Sequence, residues 1–260
     1  MERLKSLAFT LAEVLIVLGI IGLIAEMTLP VLISSTEKQV EVTSLKKFYA
    51  AFDQGLGMII QDNGCNDIAC TGIFNGDHTD VSWQANIDTA MRKAFRVVKS
   101  CNGSLSGCID YPSSIKYLDK SSMSTGMAGY FNGYSFLTTD GFLVALKDYN
   151  SSNCQSSSYS TATGFNPHCA YLYVDINGAK TPNQVGRDIF SFSVGGIGGI
   201  YPNFGIDYAS FWNANYASSS DYWKQTASEC GTAGNPTVGS GVSGDGCAAR
   251  IMENGWKMDY

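Results

Sequence analysis

The sequence predicts an α+β chain, with one long N-terminal helix packed on an antiparallel β-sheet head. The helix is membrane-spanning in its first half and amphipathic in its second. Three observations predict this. Residues 9–33 form an apolar run. Apolar positions then recur at steps of three and four as far as Ile59, which marks one helical face. Beyond residue 134, short strand-type segments alternate with turn residues.

The apolar run reads FTLAEVLIVLGIIGLIAEMTLPVLI. Its 25 residues make about 37 Å of helix, against about 30 Å of bilayer core. Arg3 and Lys5 precede it and hold that end on the cytoplasmic side. The run is longer than the core of a secretory signal peptide, and no A-x-A cleavage site follows it. A simple anchor leaves Glu13 unexplained. A carboxylate five residues into such a run is costly unless paired, so Glu13 either has a partner or snorkels to the nearby interface. Glu26 faces the same choice near the far end. Gly19 and Gly22 permit close helix contacts. Pro30 removes one ladder bond and is expected to kink or locally melt the helix.

The stretch Lys5-Ser-Leu-Ala8-Phe9-Thr-Leu-Ala-Glu13-Val-Leu-Ile resembles the class III signal of type IV pilins and type II secretion pseudopilins. The resemblance implies a pilin-like fold and a structural role. It implies that a prepilin peptidase removes residues 1–8 by cutting between Ala8 and Phe9, and that Phe9 is then N-methylated. It makes Glu13 and Pro30 assembly residues. Ala8 departs from the family's usual glycine before the cut. The physics agrees with this reading. Leader removal uncovers a charged α-amino group at a greasy helix end. Glu13 of a neighbouring copy can neutralise it when helices pack, which sets the stagger between subunits.

The helix continues past the apolar run. Val42, Leu45, Tyr49, Phe52, Leu56 and Ile59 share one face, while Glu37, Lys38, Glu41, Lys46, Lys47 and Asp53 lie largely elsewhere. The character changes near Ser34, and Asp62-Asn63-Gly64 is the stop. One helix is thus expected over residues 9–62, and the head over residues 63–260. In the head, a second helix is expected over residues 83–98, with Ser82 as N-cap. Strands are expected at 134–139 and 142–147 around the hairpin signal Asp140-Gly141, then at 170–174, 189–194 and 248–253. Residues 151–160, 195–205 and 231–246 read as Gly/Ser-rich surface loops.

Charged residues make up only 15% of the chain, against about 25% in ordinary soluble domains. The remainder is rich in Gly, Ser, Asn and Tyr, as in many exported proteins. The net charge of −6 gains no counterion-release energy from DNA or RNA, so no nucleic-acid partner is expected. Eight cysteines fall as four neighbouring couples: Cys65 and Cys70, Cys101 and Cys108, Cys154 and Cys169, Cys230 and Cys247. None has CxxC spacing, and His78 and His168 add no ligand pattern. Disulfides in an oxidising compartment follow. Neighbour pairing is the expectation among on the order of a hundred connectivities.

Between two expected strands, Asp175, Asn177, Asn183 and Asp188 offer hard oxygens of the type calcium takes. Some pseudopilins hold calcium in a head loop, so the resemblance implies the same possibility here. The same residue types also build Asx turns on their own backbone. Arg187 is an alternative partner for Asp175 or Asp188. For catalysis there is no GxSxG, HExxH, P-loop or GxGxxG, and no enzyme activity is expected. The aromatic residues of 208–223 are either an adhesive patch or packing.

Two functions result. The first is a filament subunit of a type IV pilus or type II secretion pseudopilus, major or minor. Its partners are other pilins or pseudopilins, the peptidase, an inner-membrane assembly platform and membrane lipid. It begins in the inner membrane with a periplasmic head, then joins a periplasmic pseudopilus or surface pilus. The second is an anchored or tip-mounted adhesin whose head recognises a surface ligand.

Overall fold

A computed structural model describes residues 10–77, 80–102, 108, 115–123, 133–148, 154, 168–178, 180–196, 198–202, 230–231 and 241–260. The chain divides into two units, Met1–Val40 and Glu41–Tyr260. Helix α1 (Leu11–Asp62) begins in the first and ends in the second.

Within the second unit, α1 buries Val42, Leu45, Phe48, Phe52, Gly55, Leu56 and Ile59. The expected stripe is there, but Phe48 takes the central place assigned to Tyr49, which packs at the edge. Phe48 meets Phe142 edge-on, with ring centroids 5.6 Å apart. Gly55 is needed where it stands. A Cβ there would lie 2.3 Å from Cζ of Phe95, whose ring stacks on Phe52 at 4.9 Å.

Helix α2 (Val81–Ala94) starts two residues earlier than Ser82 as N-cap predicts. Asp80 is the N-cap, its Oδ1 accepting from the Ser82 amide at 2.8 Å, so Ser82 is inside the helix. The helix also ends sooner than expected. Phe95 turns to extended backbone, and strand β1 (Val97–Asn102) takes what periodicity assigned to the helix. Val97 and Val98 suit a strand, and pairing of Val97 with Thr138 supplies the ladder that holds them there.

The sheet is a six-stranded antiparallel meander in the order β1 to β6. Strands β2 (Tyr134–Thr138) and β3 (Leu143–Asp148) flank Asp140-Gly141 as predicted. Gly141 takes φ +86° at that turn, and Thr138 N–H donates to the Phe142 carbonyl at 2.9 Å. Strands β4 (His168–Asp175) and β5 (Ile189–Gly195) extend the expected segments by one or two residues. The short β6 (Ile200–Pro202) arises inside the run read as a loop. The expected last strand is instead helix α3 (Cys247–Glu253), which packs on β5. Cys247 through Ile251 are all buried, so no polar stripe marked the helical period.

Alternation across the strands serves two layers. Phe136, Val144, Leu146, Leu172, Val174 and Phe192 join the core with α1, α2 and α3. Leu143, Ala145, Tyr173 and Ile189 turn to the other face, against Ile115 and Val185.

A polar network ties α2 to this sheet. Asp88 Oδ2 accepts from Arg92 Nε at 2.8 Å, and Oδ1 accepts from the Tyr134 hydroxyl at 2.7 Å. Ser100 Oγ donates to Asp88 and accepts from Arg92. Burial pushes the Asp88 carboxyl up, but donation from Ser100, Arg92 and Tyr134 more than offsets it and holds it below the ordinary 3.8. The folded head therefore binds fewer protons here than the unfolded chain. The stabilisation is present above the ordinary carboxylate range and is lost as pH falls through it. Asp88→Asn is expected to lower stability by about 1 kcal/mol at neutral pH and to flatten the acid limb of a urea-denaturation series. An unchanged acid limb would remove Asp88 from this account.

The C-terminal segment closes over a buried cation. Arg250, fully buried on α3, donates from Nε to Asp259 Oδ1 at 2.7 Å and from Nη1 to the Cys230 carbonyl at 2.7 Å. Its guanidinium lies 5.0 Å from the centre of the Tyr260 ring. The Tyr260 hydroxyl donates to the Gly186 carbonyl.

Candidate functional site

The first unit presents apolar side chains to its surroundings. From Leu11 to Ile33 the leucines, isoleucines, valines and Met27 are exposed, Leu11 by 80% and Val31 by 71%. Nothing lies within 4 Å of a Cβ placed at Gly19 or Gly22. α1 is the one helix among the described residues long and apolar enough to cross a membrane, and none of its most apolar window is buried. Such a surface left in water is unfavourable in proportion to its area, and by length and composition the helix could span a membrane.

Glu13 has a local partner that the sequence reading overlooked. Thr10 caps α1, and Glu13 Oε2 accepts from both the Thr10 amide at 2.8 Å and the Thr10 hydroxyl at 2.9 Å. The Glu13 amide returns a bond to Thr10 Oγ1 at 3.3 Å. This is a reciprocal capping box, and its signal, Thr-x-x-Glu before an apolar run, was present in the sequence. Both donors go to Oε2. Oε1 accepts nothing among the described residues, so half of the carboxylate stays open. Ala8 and Phe9, the expected processing residues, lie outside the described residues.

α1 runs through Pro30 without interruption, so the expected local melting is not seen. Proline removes one donor, and the ladder on either side persists. Thr28 and Thr36 hydroxyls also bond the Ile24 and Leu32 carbonyls, at 3.0 and 2.9 Å, across this stretch.

The loop between β4 and β5 gathers the expected calcium ligands, but as turns. Asp188 Oδ2 accepts from the Asn183 amide at 2.8 Å and the Asn177 side-chain amide at 3.1 Å. Oδ1 accepts from the Gln184 amide at 2.5 Å. Asp175 Oδ1 accepts from the Asn177 amide at 3.0 Å. Both oxygens of Asp188 are thus spent on N–H donors. Calcium takes lone pairs, and the N–H groups turned toward Asp188 compete for them, while Asn177 Oδ1 is buried without a hydrogen-bond partner. Burial pushes the Asp188 carboxyl up, with the N–H donors of Gln184, Asn183 and Asn177 drawing it partly back. Arg187 Nε pairs with Glu41 Oε1 of α1 at 3.4 Å. Among the described residues no group of three or more His, Cys, Asp or Glu is placed to hold a metal ion.

The four disulfides join neighbours: Cys65–Cys70, Cys101–Cys108, Cys154–Cys169 and Cys230–Cys247. His168 contributes backbone to β4, whereas His78 and the aromatic run 208–223 lie outside the described residues. The resulting site is an exposed apolar helix carrying a half-open carboxylate at its start. No protein-family model, no curated protein and no solved structure matches this chain.

Proposed function

We propose that this chain is a structural subunit of the type IV pilin or type II secretion pseudopilin kind, which polymerises through α1. The carrying observation is Glu13. It is a carboxylate in an exposed apolar helix, the fifth residue after the expected cut between Ala8 and Phe9, with Oε2 held by the cap and Oε1 open. An α-amino group released at Phe9 is the cation that such a carboxylate accepts when helices pack away from water. The bare apolar surface between Leu11 and Ile33 supports the same reading, because it needs first lipid and then neighbouring copies around it.

On this reading the protein starts as a single-pass inner-membrane protein with a periplasmic head. A prepilin peptidase clips residues 1–8, and an assembly platform draws the subunit into a pseudopilus or pilus. The head is disulfide-stapled for an oxidising compartment. Mass spectrometry of the natural protein tests the reading. The expected chain begins at N-methylated Phe9, and a chain that begins at Met1 refutes it.

A further inference from the structure

The four disulfides differ in how easily another thiol can reach them. Cys154, Cys169, Cys230 and Cys247 are each at most 1% exposed, so two of the four bonds lie inside the head. Cys101 is buried and its partner Cys108 half-buried. Cys65 is half-buried and Cys70 is exposed, so theirs is the most open of the four bonds. Thiol–disulfide exchange needs a thiolate to reach a sulfur of the bond, and exposed disulfides are accordingly the labile ones.

The same bond is the one the head can open without coming apart. It closes the shortest loop, with a sequence separation of 5 against 7, 15 and 17, and a short loop restricts the unfolded chain least. The loop also has fastenings of its own. Asp67 Oδ1 accepts from the Cys70 amide at 2.7 Å. The amides of Ala69 and of the fully buried Ile68 both donate to the Gly196 carbonyl, at 3.2 and 2.9 Å. The Thr71 hydroxyl bonds the Ile68 carbonyl at 2.6 Å. At the other end, the Cys65 amide donates to the Ile60 carbonyl of α1 at 3.1 Å. The backbone of each cysteine is thus fixed by bonds that reduction leaves alone. Two thiols formed there stay side by side at high effective concentration, ready to close again.

Cys230–Cys247 is the contrast. The Cys230 carbonyl accepts from Nη1 of the buried Arg250 at 2.7 Å, and Cys247 is the first residue of α3. A thiol reaches that bond only after the core around a buried cation has loosened, which is costly.

We infer that Cys65–Cys70 is a reversible thiol-exchange site, opened by a dithiol reductant while the other three disulfides stay closed. A thiolate of the dithiol attacks Sγ of Cys70, the more exposed of the two residues. The bond between the cysteines breaks, its electron pair leaves on Cys65 Sγ, and that sulfur takes up a proton. The reagent is then held on Cys70 as a mixed disulfide. Its second thiolate attacks its own sulfur in that bond, and Cys70 leaves as a thiolate that is protonated in turn. Two electrons and two protons have passed to the pair, and the dithiol ends as a disulfide. The inference does not depend on the filament reading, because every residue it uses lies in the second unit.

The test uses the full chain in detergent micelles at mildly alkaline pH, with dithiothreitol as the dithiol. Samples are quenched with iodoacetamide at intervals and mapped by mass spectrometry of non-reduced peptides. Cys65 and Cys70 are expected to be alkylated at least about tenfold faster than any other cysteine. Tryptophan fluorescence is expected to stay constant through that fast phase, and removal of the reductant is expected to restore the bond. The double variant Cys65→Ser/Cys70→Ser is expected to lose the fast phase and keep the slow ones. Four results overturn the inference. They are another pair opening first, all four opening together, a fast phase that carries a loss of the fluorescence signal, and a fast phase that survives the double variant. The first three are read on the wild-type protein, so the inference stays exposed to failure even where the double variant does not fold.

Discussion

Glu13→Gln is expected to keep the start of α1 intact and still abolish filament assembly. The reason lies in the two oxygens. Glutamine also serves at the third helical position of a capping box, so its carbonyl replaces Oε2 toward the Thr10 amide and hydroxyl. What glutamine lacks is charge. On the proposed reading, the amine of a neighbouring copy then enters an apolar helix bundle without a counter-ion, which is strongly unfavourable. Glu13→Ala removes both the cap and the charge, and Thr10→Val removes only part of the cap. The expected order is therefore near-normal filaments for Thr10→Val and none for Glu13→Gln or Glu13→Ala. Membrane insertion should persist in all three, because the apolar run is unchanged. Electron microscopy of sheared surface fractions, with membrane fractionation as control, reads both outcomes. Filaments of normal length from Glu13→Gln would reduce Glu13 to a helix cap.

Arg250→Ala is expected to destabilise the second unit by about 3–5 kcal/mol. The change opens a cavity where a fully buried side chain stood. It also leaves the Cys230 carbonyl without its 2.7 Å donor and the Tyr260 ring without its cation. Asp259→Ala acts differently, because it strands the buried guanidinium. Asp259 itself is 39% exposed, so water softens that loss to about 2–3 kcal/mol. The exposed pair Lys47–Asp140, at 2.6 Å with side chains 60% and 49% exposed, is a useful contrast. Breaking it is expected to change stability by about 0.5 kcal/mol or less, and high salt should erase even that. Urea denaturation followed by tryptophan fluorescence measures all three. An Arg250→Ala loss below about 1 kcal/mol would show that the C-terminal segment contributes little to the fold.

Where local chemistry acts alone, the sequence was informative. The periodic stripe from Val42 to Ile59 needed only its spacing to be placed. Asp140-Gly141 placed its hairpin, because few residues other than glycine accept φ +86° there. The neighbouring cysteines paired as expected, since short separations leave few rival partners within reach. The Thr10–Glu13 box is equally local, since its three-residue spacing before an apolar run is set by the sequence alone.

Other features needed the assembled head. Val97 and Val98 continued a helical pattern until β2 offered a ladder. α3 is buried along Cys247–Ile251, and an element covered on all sides shows no period to read. Asp188 could have been a metal ligand or a turn anchor. The N–H groups of Asn183, Gln184 and Asn177 make it a turn anchor, and their direction depends on how the loop folds back. Spacing pairs Cys65 with Cys70, but that this pair stays at the surface depends on how distant segments close over the others.

By itself, then, the sequence determined the apolar helix, its switch to an amphipathic face, the hairpin and the supply of cysteines. Each of these is set by side chains within a few turns of one another. The tertiary structure alone decided where α2 yields to β1, that residues 247–253 coil, what Asp188 holds, and which disulfide lies open. Those outcomes turn on burial and pairing between distant segments, which exist only once the chain has closed on itself.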